Sequence, residues 1–492
     1  MEQLTTMEAS FLEAEDADRH VSLAIGALAV IDGPSPGRDE LVETLSERMR
    51  TIPRLTQLVH KHPLELAAPE WVDDANFDIT HHVRWAALPR PGDDAALFRT
   101  IADLMERRLD RDHPLWECWI IEGLPERRWA ALIKIHHCIA DGIAAMRMLA
   151  NIADTGPAAT FATDIRAAKE PPAPIGNPAG LSLNPLSWAG GLWRASVATT
   201  GAAAHTAKGA AEFVAGLLAP AANSSLRGSV TNMRRYSAAR VSLKDVETVC
   251  EVFGVTLNDV ALAAITDSYR AVLLRRGEKP RRNSLRTLIP VSVRTPDAMD
   301  RTDIRVSAML PSLPVEQDDP VKRLRSVHTR LDRLKGSGER QAASAFVALA
   351  NFVPFVLSAW TVRLLARLPQ RSVVTLATNV PGPRQRLQVL GRPVEELLPV
   401  PPIAMHLRTV IGMLTYVDTL VFGITADYDA TPDVDELARG IELGVARLLA
   451  APWPANRPAR SKAGGRPGWP PEFRRQLFVI SLPISSPHAG PA

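Results

Sequence analysis

Between about Thr160 and Asn232 the chain turns rich in Ala, Pro, Gly and Ser, with PPAPIGNPAGLSLNP followed by an Ala-rich amphipathic run. Such a stretch offers few large apolar side chains to bury, so it reads as a helical linker between two folded halves. Before it, SLAIGALAVI (22–31) and RWAALIKIHH (128–137) read as strands, while GRDELVETLSERMRTI and DGIAAMRMLANIAD read as helices. Beyond it, SLKDVETVCEVFG and LNDVALAAITDSYRAVLLRRG read as helices, the second capped at Asn258 and stopped at Gly277. Strand signals follow in SLRTLIPVSVR, RVSAMLPSLPV, SVVTLATNV and LVFGITADYD. The expected class is α/β, with folded halves at 1–160 and 235–450, a linker at 161–234 and a Pro/Arg-rich disordered tail at 451–492. No repeat of 20–50 residues is found, which excludes a solenoid.

A chain of 492 residues with 46% hydrophobic content has enough apolar surface for such halves. Its formal charge of +3 is too small a surplus to point to nucleic acid. Three cysteines without a CxxC pair, Cys118, Cys138 and Cys250, support neither a disulfide framework nor a zinc site, which suits a reducing cytoplasm. The acidic N-terminus, MEQLTTMEASFLEAED, does not read as a signal peptide. From Gln341 to Val362 there is no charge, but Pro354 would break a membrane-spanning ladder, so a kinked, buried or membrane-facing helix is expected there.

The chemistry-bearing feature is His136-His137-Cys138-Ile139-Ala140-Asp141-Gly142, where a strand pattern gives way to a helix pattern. A neutral histidine at such a turn is suited to general-base work near pH 7, because its reference pKa is about 6.5. Strand periodicity sends the two histidines to opposite faces, so only one looks into a given cleft. Asp141 can fix local geometry, and Gly142 permits backbone conformations other residues resist. Spacing alone leaves open which histidine reacts.

These residues, with TTMEASFL (5–12), HVSLAIGALAVIDG (20–33), WVDDANFDITHHVR (71–84), Pro114-Leu115-Trp116, Asn258-Asp259, Pro290 to Arg294, Asn379-Val380-Pro381-Gly382-Pro383 and FGITADYDATPD (422–433), occur in one order. In that order they resemble the wax ester synthase and diacylglycerol acyltransferase family of bacteria, most closely its mycobacterial triacylglycerol synthases, over roughly residues 1–450. The tail beyond has no counterpart in the resemblance. HHxxxDG alone is a superfamily signal, shared with chloramphenicol acetyltransferase and peptide-synthetase condensation domains.

The resemblance implies two similar lobes of the CoA-dependent acyltransferase type with the active site in a tunnel between them. It implies transfer of a long-chain acyl group from acyl-CoA to diacylglycerol without an acyl-enzyme, acyl-CoA being a substrate and no cofactor being needed. By family position His137 is the catalytic base and His136 its support. Asp141 and Gly142 support the same motif, Asp141 as a structural residue with Arg294 as its candidate partner. Pro114, Leu115 and Trp116 are candidates to line the tunnel. Asn258 and Asp259 open a helix, and Asn379, Pro381 and Gly382 form a rigid turn. Insoluble substrates imply peripheral work at the inner face of a membrane or at lipid inclusions, with 192–218 or 346–362 as docking candidates. The alternatives are a wax ester synthase using fatty alcohol and a catalytically silent lipid-binding relative. Three other readings are set aside. Gly33 to Gly37 matches GxSxG around Ser35, but its prolines suit a loop; His136 to Asp141 matches HxxxxD without a companion block; a metal at this motif would crowd adjacent ligands.

Overall fold

The computed structural model describes residues 2–62, 68–154, 224–292, 306–336, 372–403 and 407–452. The first part runs β1 (Glu2–Gln3), α1 (Thr6–Ala17), β2 (Ala24–Ile31), α2 (Arg38–Met49), β3 (Gln57–His60), β4 (Glu70–Asp73), β5 (Val83–Ala87), α3 (Asp94–Glu106), β6 (Trp116–Glu122), β7 (Trp129–His136) and α4 (Gly142–Ile152). The second runs β8 (Arg234–Ser242), α5 (Leu243–Phe253), α6 (Leu257–Arg275), β9 (Leu285–Ser292), β10 (Val306–Met309), β11 (Ser312–Leu313) and α7 (Pro320–Gly336). It continues through β12 (Thr375–Val380), β13 (Gln388–Val389), β14 (Arg392–Val400), β15 (Thr409–Tyr416), β16 (Thr419–Asp427) and α8 (Val434–Ala450).

Local chemistry sets the helix ends. Thr5 and Glu8 form a reciprocal capping box on α1, and Asp93 and Ser242 cap α3 and α5. The cap of α6 is Thr256, not Asn258: its hydroxyl accepts from the Asp259 amide while the Asp259 carboxylate takes the Thr256 amide. That exchange satisfies two otherwise orphaned donors, which a lone Asn258 cap would not. Gly277, at φ +74°, follows α6 where the stop was expected.

The strands build two main sheets. One has the order β13-β14-β2-β7-β6-β5; the other is β10-β9-β12-β15-β16-β8, with β11 also paired to β9. A small third sheet is β1-β4-β3. The sheets do not divide where the sequence does. β14 comes from the second half of the chain, yet it lies antiparallel beside β2, with Pro399 opposite Ala27 and Val400 opposite Gly26. Leu397, Leu398 and Val400 accordingly belong to the first apolar core, and the Tyr236 hydroxyl on β8 donates to the Pro399 carbonyl at 3.0 Å. Arg240 of β8 ties Glu396 to Asp94. Burial of both sheets' inner faces is the main stabilising term, and these cross-links fix how one core sits on the other.

Among the described residues no single helix is long and apolar enough to cross a membrane; only α5 and α6 together pass on length, bent by 104° and largely buried in the second core. The uncharged run 341–362, the docking candidate 192–218 and the tail from 453 lie outside the described residues, as does Arg294.

Candidate active site

β7 ends at His136, the turn begins at His137, and α4 starts at Gly142. The backbone on both sides of this junction is held by other strands and loops. The His136 amide donates to the Leu115 carbonyl and the His137 amide to the Leu23 carbonyl, each at 2.9 Å. The His136 ring is 1% exposed, and its Nδ1 accepts from the Cys138 amide at 3.1 Å. An accepting Nδ1 puts the proton of the neutral ring on Nε2, which faces Glu15 Oε2 at 3.6 Å.

Glu15 sits on the buried face of α1 and does more than face His136. Its carboxylate accepts from the Leu23 amide at 2.9 Å and from Arg111 at 2.8 Å. Burial alone would raise its pKa, but His136, Arg111 and the Leu23 amide reverse the effect and lower it to about 2. Leu23 is thus gripped from both sides: its amide by Glu15, its carbonyl by His137.

The His137 ring stacks on Phe11, one turn before Glu15 on α1, with centroids 4.3 Å apart and planes 7° from parallel. It is half-buried, and its Nδ1 is buried without a hydrogen-bond partner among the described residues. Burial lowers its pKa below the usual histidine value; the backbone at His137 and Ala140 and the Asp141 charge pull more weakly the other way. The neutral, proton-accepting form therefore predominates at neutral pH. Of the two histidines, His137 is the half-buried one and His136 the enclosed one.

Asp141 is the N-cap of α4, its carboxylate accepting from the Ala144 amide at 2.9 Å. Asp141→Ala is expected to lower stability by about 1 kcal/mol from the lost cap and to lower turnover as well; a thermal melt and a rate measurement check both, and an unaltered pair of values overturns the assignment.

Gly142 is needed for a different reason from the one expected. It opens α4 with ordinary helical geometry, but a Cβ there would come 2.7 Å from Val380 Cγ2. Glycine at this point lets the end of β12, from the second sheet, press against the start of α4. Gly142→Ala is expected to lose activity and several degrees of melting temperature, and Gly142→Ala with Val380→Ala to recover much of both; failure of the double variant to recover either would show that the contact is not the cause.

Asn379 and Gly382 belong to that same β12 end. Asn379 Nδ2 donates to Asn258 Oδ1 at 2.6 Å, joining β12 to the first turn of α6. The Gly382 amide donates to Thr415 Oγ1 at 3.1 Å, and a Cβ on Gly382 would meet the Thr415 carbonyl at 2.0 Å. Pro381 between them is half-buried. Asp259 is fully buried, and its Oδ2 also accepts from His328 Nδ1 at 2.9 Å.

The Pro114-Leu115-Trp116 block has a different place from the tunnel wall expected of it. Leu115 and Trp116 are 1% exposed, and Trp116 donates its indole N–H to the Leu55 carbonyl at 2.8 Å and stacks on His82. Their side chains are core, and Leu115 serves the site through its carbonyl on His136. Glu15, Phe11, Leu23, Arg111, Val380 and His328 were not foreseen. The available signal was weak: Phe11 and Glu15 at four-residue spacing on a helix with an apolar face.

The arrangement offers one neutral imidazole at a braced turn, close to where the two sheets meet. The chain matches the family model described as wax ester synthase/diacylglycerol acyltransferase catalytic domain over residues 4–261, and the WS/DGAT C-terminal domain over residues 305–448. It is 55% identical over 450 residues to the probable diacyglycerol O-acyltransferase tgs1 of Mycobacterium tuberculosis (strain ATCC 25618 / H37Rv), covering 92% of this chain and 96% of the relative. A putative diacyglycerol O-acyltransferase of the same strain is 49% identical, covering 92% and 91%. Among solved structures, a wax ester synthase/diacylglycerol acyltransferase from Marinobacter aquaeolei VT8 superposes with a TM-score of 0.65 at 24% identity, covering 91% of this chain and 98% of that one. The first condensation domain of the calcium-dependent antibiotic synthetase gives 0.59 at 12% identity, covering 92% and 97%. At these identities the two structures speak to the fold, which is that of the CoA-dependent acyltransferases.

Proposed function

The chain belongs to the wax ester synthase/diacylglycerol acyltransferase family, and from that premise we propose that it moves a long-chain acyl group from acyl-CoA to the free hydroxyl of diacylglycerol, with His137 as the base. The observation that carries the acceptor is the similarity, along nearly the whole chain, to relatives named as diacylglycerol O-acyltransferases. What supports His137 is its half-buried, neutral ring, stacked on Phe11 at a turn whose backbone is held by Leu23 and Leu115.

The reaction balances through that one ring. The neutral imidazole accepts the hydroxyl proton as the alcohol oxygen forms a bond to the thioester carbonyl carbon. The C–S bond of the tetrahedral adduct then breaks, and the imidazolium returns its proton to the CoA thiolate. No acyl-enzyme is formed, and the ring ends as it began. His136 does not move a proton; with Nδ1 occupied by the Cys138 amide it holds the strand end in place. General-base catalysis supplies roughly 10²- to 10⁴-fold, and the rest comes from holding two substrates together and from charge stabilisation on the carbonyl oxygen.

An acyl chain contributes about 0.8 kcal/mol for each buried CH₂, so both substrates favour apolar surroundings over water. This supports a workplace at a membrane or lipid-droplet surface, reached peripherally.

The test is CoA-thiol release from palmitoyl-CoA by purified protein given dioleoylglycerol or hexadecanol, with lipid products separated. Triacylglycerol is the expected product. Wax ester alone moves the acceptor to a fatty alcohol, and no product with either acceptor favours a silent lipid-binding relative.

A further inference from the structure

The face of the first sheet that carries the odd-numbered residues of β7 lies under an apolar cavity of about 40 Å³ that the steps above do not use. Small side chains make the room: Ala29 of β2 pairs with Ala131 of β7, and Cys118 of β6 pairs with Ile133 one pleat along. Leu149 and Ile152 of α4 cover them, together with side chains of α2. Apart from Thr44 and Arg48, every lining side chain is apolar. A space lined this way excludes water and has nothing to offer a polar occupant.

Its position distinguishes it from a packing defect. On β7 the residues Ile133 and Ile135 follow at two-residue spacing and His137 comes next, just past the strand end, so the strand runs from the cavity to the reacting turn. At about 3.3 Å per residue, Ile133 is about 13 Å and Trp129 about 26 Å along the strand from His137. On α4, Ala145, Leu149 and Ile152 share one face, leading from the same turn to the cavity roof. β2 and β7 are interior strands, yet Ile25, Ala27 and Ala131 on this face keep some accessible surface, as does Ala145 opposite. Partly accessible apolar groups therefore lie between the cavity and the turn, beside the buried Ile133 and Ile135.

The far end is closed by charge. Arg48 lines the cavity and pairs with Asp154 at 2.7 Å, and the Asp154 carboxylate accepts from the amides of Leu390 and Gly391 at 3.1 and 2.7 Å. This clasp fastens the turn between β13 and β14 over the mouth of the space.

We propose that this cavity receives the terminal carbons of the acyl chain of acyl-CoA, and that the Arg48–Asp154 clasp sets the longest chain that fits. The inference rests on the acyl-CoA reading above. An extended chain of 16 carbons is about 20 Å long, so with its carbonyl at His137 its end falls between Ile133 and Trp129. The resting volume holds only the last few carbons; the others lie along Ile25, Ala27 and Ala145.

Two substitutions of opposite sign test this. Ala131→Leu fills the cavity and Ile120→Ala enlarges it, with Ala29→Val as a second filling variant should the first fold poorly. The readouts are kcat/KM and equilibrium binding for octanoyl-, dodecanoyl-, palmitoyl- and arachidoyl-CoA, with thermal melts alongside. Filling is expected to lower both values for palmitoyl-CoA by roughly tenfold or more, since several CH₂ groups lose their place, and to leave octanoyl-CoA unaffected. Enlarging is expected to favour arachidoyl-CoA relative to palmitoyl-CoA. Equal changes at every chain length, or none, overturn the assignment. Should the wild type turn over no acyl-CoA, the acyltransferase reading fails, while the binding ratios still decide for or against the cavity.

Discussion

His137→Ala is expected to abolish acyl transfer, lowering it by roughly 10²- to 10⁴-fold or more, and to shift the melting temperature only slightly. The activity loss follows from removing the proton acceptor itself. The small stability effect follows from what the ring touches: it stacks on Phe11, a contact worth about 1 kcal/mol, and its Nδ1 leaves no partner unpaired when deleted. Thiol release and a thermal melt on the same preparations give the two numbers. The wild-type pH profile adds an independent readout. Burial lowers the His137 pKa, and the neutral form is the active one, so the acid limb of the rate falls below the usual histidine value of 6.5. Substantial turnover by His137→Ala, or an acid limb above 6.5, would place the base elsewhere.

The turn that holds His137 was legible because its signals are local. An apolar run broken only by Lys134 marks β7, Asp141 is a good cap, and the apolar positions that follow have helical spacing. The opening of α6 near Asn258 and Asp259 was legible for the same reason, although the cap proved to be Thr256 and not Asn258. β14 was not. Its sequence, RPVEELLPV, carries two prolines and adjacent glutamates at a register shift, which breaks the alternation that marks a strand. Its pairing with β2 spans most of the chain, and periodicity holds no record of such a partner. The packing of Val380 on Gly142 was hidden likewise, since a glycine in a motif suggests backbone freedom before it suggests a neighbour.

Glu15 was the least legible residue of the site, because a carboxylate in the acidic segment LEAED looks solvated until α1 is seen to bury it. Its removal is expected to have the largest effect on stability. Glu15→Ala removes the acceptor of the buried Leu23 amide and one of the two carboxylates that hold Arg111, the other being Asp16, and leaving a buried donor unpaired in this way costs about 1–3 kcal/mol, to which the lost charge interaction adds. Activity falls too, because Leu23 holds the His137 amide. Glu15→Gln separates the two effects: its amide oxygen still accepts from Leu23, so turnover recovers in part while the charge is gone. The pH dependence has a definite sign. The folded carboxyl sits at about 2 against an ordinary 4.5, so its stabilisation is complete above pH 4.5 and is lost as the pH falls toward 2. That difference corresponds to on the order of 3 kcal/mol. Denaturant midpoints at pH 6 and pH 3 should therefore drop further for the wild type than for Glu15→Gln. Equal drops in the two proteins would show that the Glu15 charge does not brace the site.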